Sequence, residues 1–151
     1  MQACAINPFL AAAVNVYRES FTIEATPGEP YILKDQINHR WEISGVLGVT
    51  GAHQGVIAFR LPRLLAEKML VKSGVATADE AERKEMVIGM VGELTNIIAG
   101  NASDEFDALD ISPPIVVVGA NHEISWPRIA PVIGIPFSTT HGPFEVDVCI
   151  K

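Results

Sequence analysis

The sequence predicts an α+β fold: a largely antiparallel sheet with helices packed on it. Three observations lead there. Apolar residues recur at helical spacing in two long segments, near 5–20 and 78–99. Two strand-like runs, 41–50 and 55–61, are joined by Gly51-Ala52-His53-Gln54, a hairpin by length and chemistry. The order of helix, strands, two helices and strands then suggests one layer of helices on one sheet.

Each element has its own local reason. In 5–20, Ile6, Phe9, Leu10, Ala13, Val14 and Tyr17 fall on one helical face, and Asn7-Pro8 suits a first turn. Residues 21–23 read as a short strand, 26–30 as a Pro- and Gly-rich turn, and 31–33 as the start of another strand. The glycines Gly45, Gly48 and Gly51 in the first hairpin strand suggest bulges; they lack the Lys-Ser/Thr end of a phosphate loop. Residues 62–71 read as a helix with Pro62 in its first turn and Gly74 beyond its end. Thr77 to Glu80, a hydroxyl three residues before a carboxylate, reads as the start of the long helix 78–99. The acidic stretch 101–110 reads as loop or ragged helix. Pro113-Pro114 introduces a buried strand at 115–118. A proline-marked strand follows over 126–137, and a final alternating strand over 144–150.

The 151 residues suit a single domain, 1–151, with no internal repeat. Apolar residues make up 48%, enough for a core without disulfides or metal. The formal charge of −7, with no basic run, argues against nucleic acid and against an anionic membrane surface. No stretch is long enough to span a membrane, and 8–16 lacks the charged start and cleavage site of a signal peptide. The expectation is a soluble cytoplasmic protein. Cys4 and Cys149 could pair, since chain ends often lie close, but two isolated cysteines in a cytosolic chain usually stay reduced.

Most chemical motifs are missing. His39, His53, His122 and His141 are dispersed, with no metal-ligand spacing. Asp104, Glu105, Asp107 and Asp110 lack the spacing of a calcium loop and read as a solvated segment. No nucleophile elbow is present. No metal and no cofactor of its own is expected.

The informative stretch is Gly92-Glu93-Leu94-Thr95-Asn96-Ile97-Ile98-Ala99-Gly100. At about 100° per residue, Gly89, Glu93, Asn96 and Gly100 share one helical strip. Val87, Met90, Val91, Leu94, Ile97 and Ile98 lie opposite. Glycine inside an exposed helix costs roughly 1 kcal/mol against alanine, so its recurrence along a polar strip suggests close approach by something large. Gly89, Gly92 and Gly100 are therefore candidate partner contacts. Glu-x-x-Asn alone is ordinary on a solvated helix; the glycines and the apolar stripe behind it are what set this strip apart.

Gly92-Glu93-Leu94-Thr95-Asn96, with Gly100 after it and Ile111-Ser112-Pro113-Pro114 beyond, resembles the CheC/CheX family of chemotaxis phosphatases. It is most similar to CheX, with one such motif per chain. The likeness extends from the Asn-Pro-Phe opening helix to the terminal strands. Two positions differ: Gly89 stands where the family usually has Asp or Ser, and the interval from Asn96 to Pro113 is shorter by about one helical turn. The resemblance implies an antiparallel α/β fold and a homodimer. It implies hydrolysis of the aspartyl phosphate on a phosphorylated CheY-like receiver domain. Catalytic roles would fall to Glu93, docking to the receiver's lysine, and Asn96, orienting the attacking water. Mg²⁺ would come with the receiver. The alternative is a non-enzymatic module binding a receiver or a flagellar-switch protein.

Overall fold

A computed structural model describes residues 3–34, 41–106 and 109–151, with side chains from residue 6. Helix α1 (Ala3–Phe21) is followed by the two short strands β1 (Thr26–Pro27) and β2 (Tyr31–Ile32). The hairpin β3 (Ile43–Gly51) and β4 (Gly55–Leu61) leads into helices α2 (Arg63–Lys72) and α3 (Glu80–Ser103). Strands β5 (Leu109–Ile111), β6 (Ile115–Val118), β7 (Ile133–Thr139) and β8 (Gly142–Ile150) complete the order. The sheet runs β1-β7-β8-β4-β3-β5, with β2 also on β7 and β6 also on β3. Every pairing among the described residues is antiparallel.

Alternation decides which side chains meet the helices. Ile43, Leu47 and Val49 of β3, Ile57, Phe59 and Leu61 of β4, and Phe144, Val146, Val148 and Ile150 of β8 all join the core. Helix α1 contributes Phe9, Ala13 and Tyr17; α3 contributes Val87, Val91, Leu94 and Ile98. Phe144 is stacked between Tyr17 (4.0 Å between ring centroids) and Phe137 (4.6 Å), fixing α1 to the sheet.

The other sheet face carries a buried polar group. Arg60 Nη1 lies 3.4 Å from Asp147 Oδ2, both side chains fully buried. Arg60 Nε donates to Ser44 Oγ, Ser44 meets His122 Nε2 at 2.7 Å, and Tyr31 donates its hydroxyl proton to Glu145. Burial, with Glu145 alongside, pushes the Asp147 carboxyl up from its ordinary range. Cys149 is a free, buried thiol facing the carbonyls of Pro127 and Ala130. The side chain of Cys4 lies outside the described residues.

Several expectations need correction. Residues 21–23 form no strand: Phe21 ends α1, and Thr22 (φ 54°) turns the chain so that the amides of Thr22 and Ile23 reach the carbonyls of Arg18 and Tyr17. Pro8 sits inside α1 rather than in its first turn. Residues 26–30 are not only a turn, since Thr26–Pro27 pairs with β7. The β3–β4 register is continuous, without bulges. Strand β6 is an edge, with Ile115 64% exposed rather than buried. The strand expected over 126–137 begins only at Ile133.

One close approach controls the helix layer. A Cβ on Gly45 would overlap Thr95 Oγ1 and stand 2.9 Å from Thr95 Cβ. That hydroxyl cannot swing freely, because it donates to Val91 O at 2.7 Å. Gly45→Ala should therefore lower stability by about 2 kcal/mol, the overpacking cost outweighing the entropic gain of alanine. A fall in the urea midpoint with an unchanged m-value is the expected reading.

Candidate functional site

Helix α3 begins with Asp79, whose side chain accepts from Glu82 N at 2.8 Å, while Glu82 reaches back to Ala78 N. The capping pair is thus Asp79 and Glu82, two residues beyond the Thr77–Glu80 pair expected. The helix also runs a turn past 99, because Ala99 and Ala102 continue the buried stripe. It takes in Asn101 to Ser103 and leaves Asp104 as its C-cap.

The buried stripe of α3 is Val87, Val91, Leu94, Thr95, Ile98, Ala99 and Ala102. Glu93 and Asn96, three residues apart, are exposed on the other side. Among the described residues neither side chain forms a hydrogen bond or ion pair within the chain. Both line one open groove of about 670 Å³ between α3 and the β5–β6 segment. Ile88, Gly89 and Gly92 form the rest of its helix wall. Ile111, Ser112, Pro113, Pro114 and Val116 form the facing rim.

The three candidate glycines do different things. Gly89 is exposed, and a Cβ there would meet nothing within 4 Å. Gly92 is half-buried: its Cβ would come 3.4 Å from Val116 Cγ2, so it lets β6 close on the helix. Gly100 is also half-buried, facing Ile111 Cδ1 at 4.0 Å. Of the three, only Gly89 presents open backbone; Gly92 lies on the groove wall beside Val116, and Gly100 lies outside the groove lining.

The rim was not legible as part of a site. Ser112 Oγ accepts from Gly48 N at 2.8 Å, and Ser112 N donates to Gly48 O at 2.9 Å. Gly48 lies on β3 between its pairing with β6 (Ile43 to Val46) and with β5 (Val49 to Gly51). The available signal was a serine directly before Pro113-Pro114.

The histidines stay apart. His53 packs edge-on to Phe106, His122 faces Ser44 and Gly119 O, and His141 occupies the β7–β8 turn. His39 and Asp107 lie outside the described residues. Among the described residues no group of three His, Cys, Asp or Glu side chains could hold a metal. No described helix is long and apolar enough to cross a membrane.

The family described as chemotaxis phosphatase CheX matches residues 43–138, a span that contains the whole groove. A CheC-like superfamily protein from Shewanella sp. PV-4 superposes with a TM-score of 0.88 at 31% identity, covering 100% of this chain and 99% of its own. The chemotaxis protein CheX of Desulfovibrio desulfuricans gives 0.86 at 32% identity, covering 97% and 99%. A CheX of Borrelia burgdorferi, solved as a CheX–CheY–BeF₃–Mg²⁺ complex, gives 0.82 at 29% identity, covering 97% of each chain. No curated protein matches the sequence.

The open surroundings of Gly89 have a measurable consequence. Gly89→Ala should stabilise the protein by about 0.5–1 kcal/mol, since alanine restricts the unfolded chain and favours helix at no steric cost here. Gly92→Ala should gain less, because its methyl must fit against Val116. Urea midpoints of the two variants provide the check.

Proposed function

Because the chain belongs to the CheX family of chemotaxis phosphatases, we propose that it dephosphorylates the aspartyl phosphate of a CheY-like receiver domain. One observation carries this reading. Glu93 and Asn96 stand exposed in one groove, with no partner within the chain among the described residues. The Borrelia CheX was captured with CheY and BeF₃, and its likeness over nearly the whole chain supports the same kind of partner.

In this reading Glu93 docks to the receiver's active-site lysine through an ion pair. Asn96 enters the receiver's pocket and holds a water in line with phosphorus. A carboxamide suits the task, because its oxygen accepts a hydrogen bond from the water while its NH₂ donates to a phosphoryl oxygen. The water oxygen bonds phosphorus as the bond to the aspartyl carboxylate breaks, and the protons of that water end on the released inorganic phosphate. That carboxylate leaves without needing a proton. Positioning and charge stabilisation then supply most of the acceleration, and no nucleophile on this chain is required. Mg²⁺, expected on the receiver, would supply neutralisation of the developing charge. A CheY-like partner would also support a cytoplasmic location.

A second reading is a docking module that holds a receiver or flagellar-switch protein without hydrolysis. Gly89 favours it, since no side chain stands there to assist Glu93. The two readings separate in a radiolabel assay on a phosphorylated receiver. Asn96→Ala should slow stimulated phosphate loss about 100-fold, with the thermal midpoint unchanged. Glu93→Ala should raise KM about tenfold. Undiminished phosphate loss in Asn96→Ala rejects the catalytic role, and binding by the wild type without accelerated loss favours the docking module.

We propose a homodimer as well. The exposed edge strand β6, with Ile115 and Val118 open to solvent, supports association. Light scattering should return the mass of two chains; a single-chain mass at working concentration removes this part of the reading.

A further inference from the structure

The rim of the groove is tied to β3 by strand pairing at Ile111 and Ile115 and, between them, by the backbone and side chain of Ser112. Between its pairings with β6 and β5, strand β3 leaves Leu47 and Gly48 without strand partners on that edge. Ser112 fills the gap at Gly48 with two bonds, its amide to the Gly48 carbonyl and its hydroxyl oxygen to the Gly48 amide. The next two residues, Pro113 and Pro114, have no N–H to donate and cannot anchor themselves through a ladder. Ser112 is therefore the last tether before the stiff segment that faces Glu93 and Asn96. On the far side, Val116 packs beside Gly92, where an added Cβ would stand 3.4 Å from Val116 Cγ2, and the same segment borders α3.

We propose that Ser112 is a positioning residue for partner docking: its hydroxyl, clasped to Gly48, fixes the Pro113-Pro114 rim at the distance from α3 that admits a receiver domain. Ser112 acts through the rim and takes no part in the hydrolytic step. The proposal rests on the reading of this groove as the receiver-docking site. It differs from that reading in predicting a binding defect from a residue outside the Glu93/Asn96 strip.

The test uses the intact protein with a CheY-like receiver, activated by BeF₃⁻ and Mg²⁺ for binding and phosphorylated by acetyl phosphate for turnover. Ser112→Ala removes the acceptor and leaves the Gly48 amide unpaired. Its Kd and KM should rise about fivefold, the scale of one lost hydrogen bond. Its kcat should change by less than about twofold, since uniform binding alone is affected. Amide hydrogen exchange at Gly48 should accelerate in Ser112→Ala. Ser112→Thr, which keeps the hydroxyl, should restore Kd and Gly48 protection. Wild-type Kd in Ser112→Ala, or a fall in kcat with Kd unchanged, overturns the proposal while leaving the docking reading intact. Failure of the wild type itself to bind or dephosphorylate the receiver overturns both.

Discussion

The contact of Thr95 with Gly45 is the constraint on which the site depends. A threonine buried under a helix needs space that a strand residue with a side chain would occupy, and Gly45 provides it. The Thr95 hydroxyl is satisfied within the helix by Val91 O, so it adds no unpaired group to the core. With Thr95 lodged there, the rotation of α3 is set. The neighbouring Asn96 must then point outward, and Glu93 with it. Leu94 and Ile98 add the apolar burial that keeps the helix down.

The groove itself comes from the junction of two short strands along one edge. Strands β5 and β6 share the outer side of β3, and the link between them carries Ser112, Pro113 and Pro114. One wall is a helix presenting two polar groups; the other is a rigid, mostly apolar rim. Such a pairing suits recognition of a protein surface, where polar groups select and apolar contacts exclude water. The acidic character of the chain sits well with a partner that offers a lysine.

Much of this was visible in the residue order. The 3.6-residue period separated the faces of α3 and placed Glu93 with Asn96, because both helix geometry and their spacing are local properties. The bounds of β4, Gly55 and Leu61, are legible for the same reason, while β3 lies one to two residues from the 41–50 expected. Tertiary facts were less accessible. The apolar run Ile115 to Val118 looked buried, yet only pairing order could reveal that it lies at an edge. The residue order suggests a helix ending near Ala99, but the buried stripe continues through Ala102 and carries α3 to Ser103. The glycines of β3 suggested bulges, whereas Gly45 makes room for a threonine fifty positions away in the chain. Residues 126–132 looked like strand, but carbonyls from this stretch face Cys149 instead. The groove's rim escaped notice because its definition depends on Gly48, distant in sequence from Ser112.

Helix α3 keeps its two jobs on separate residues. The side chains that hold it in the fold are buried, while Glu93 and Asn96 are exposed. Natural selection can therefore alter the outward pair without endangering the scaffold. A lineage could silence or restore such a surface by exchanging one amide, and descendants with the same architecture could diverge in activity while remaining equally well folded.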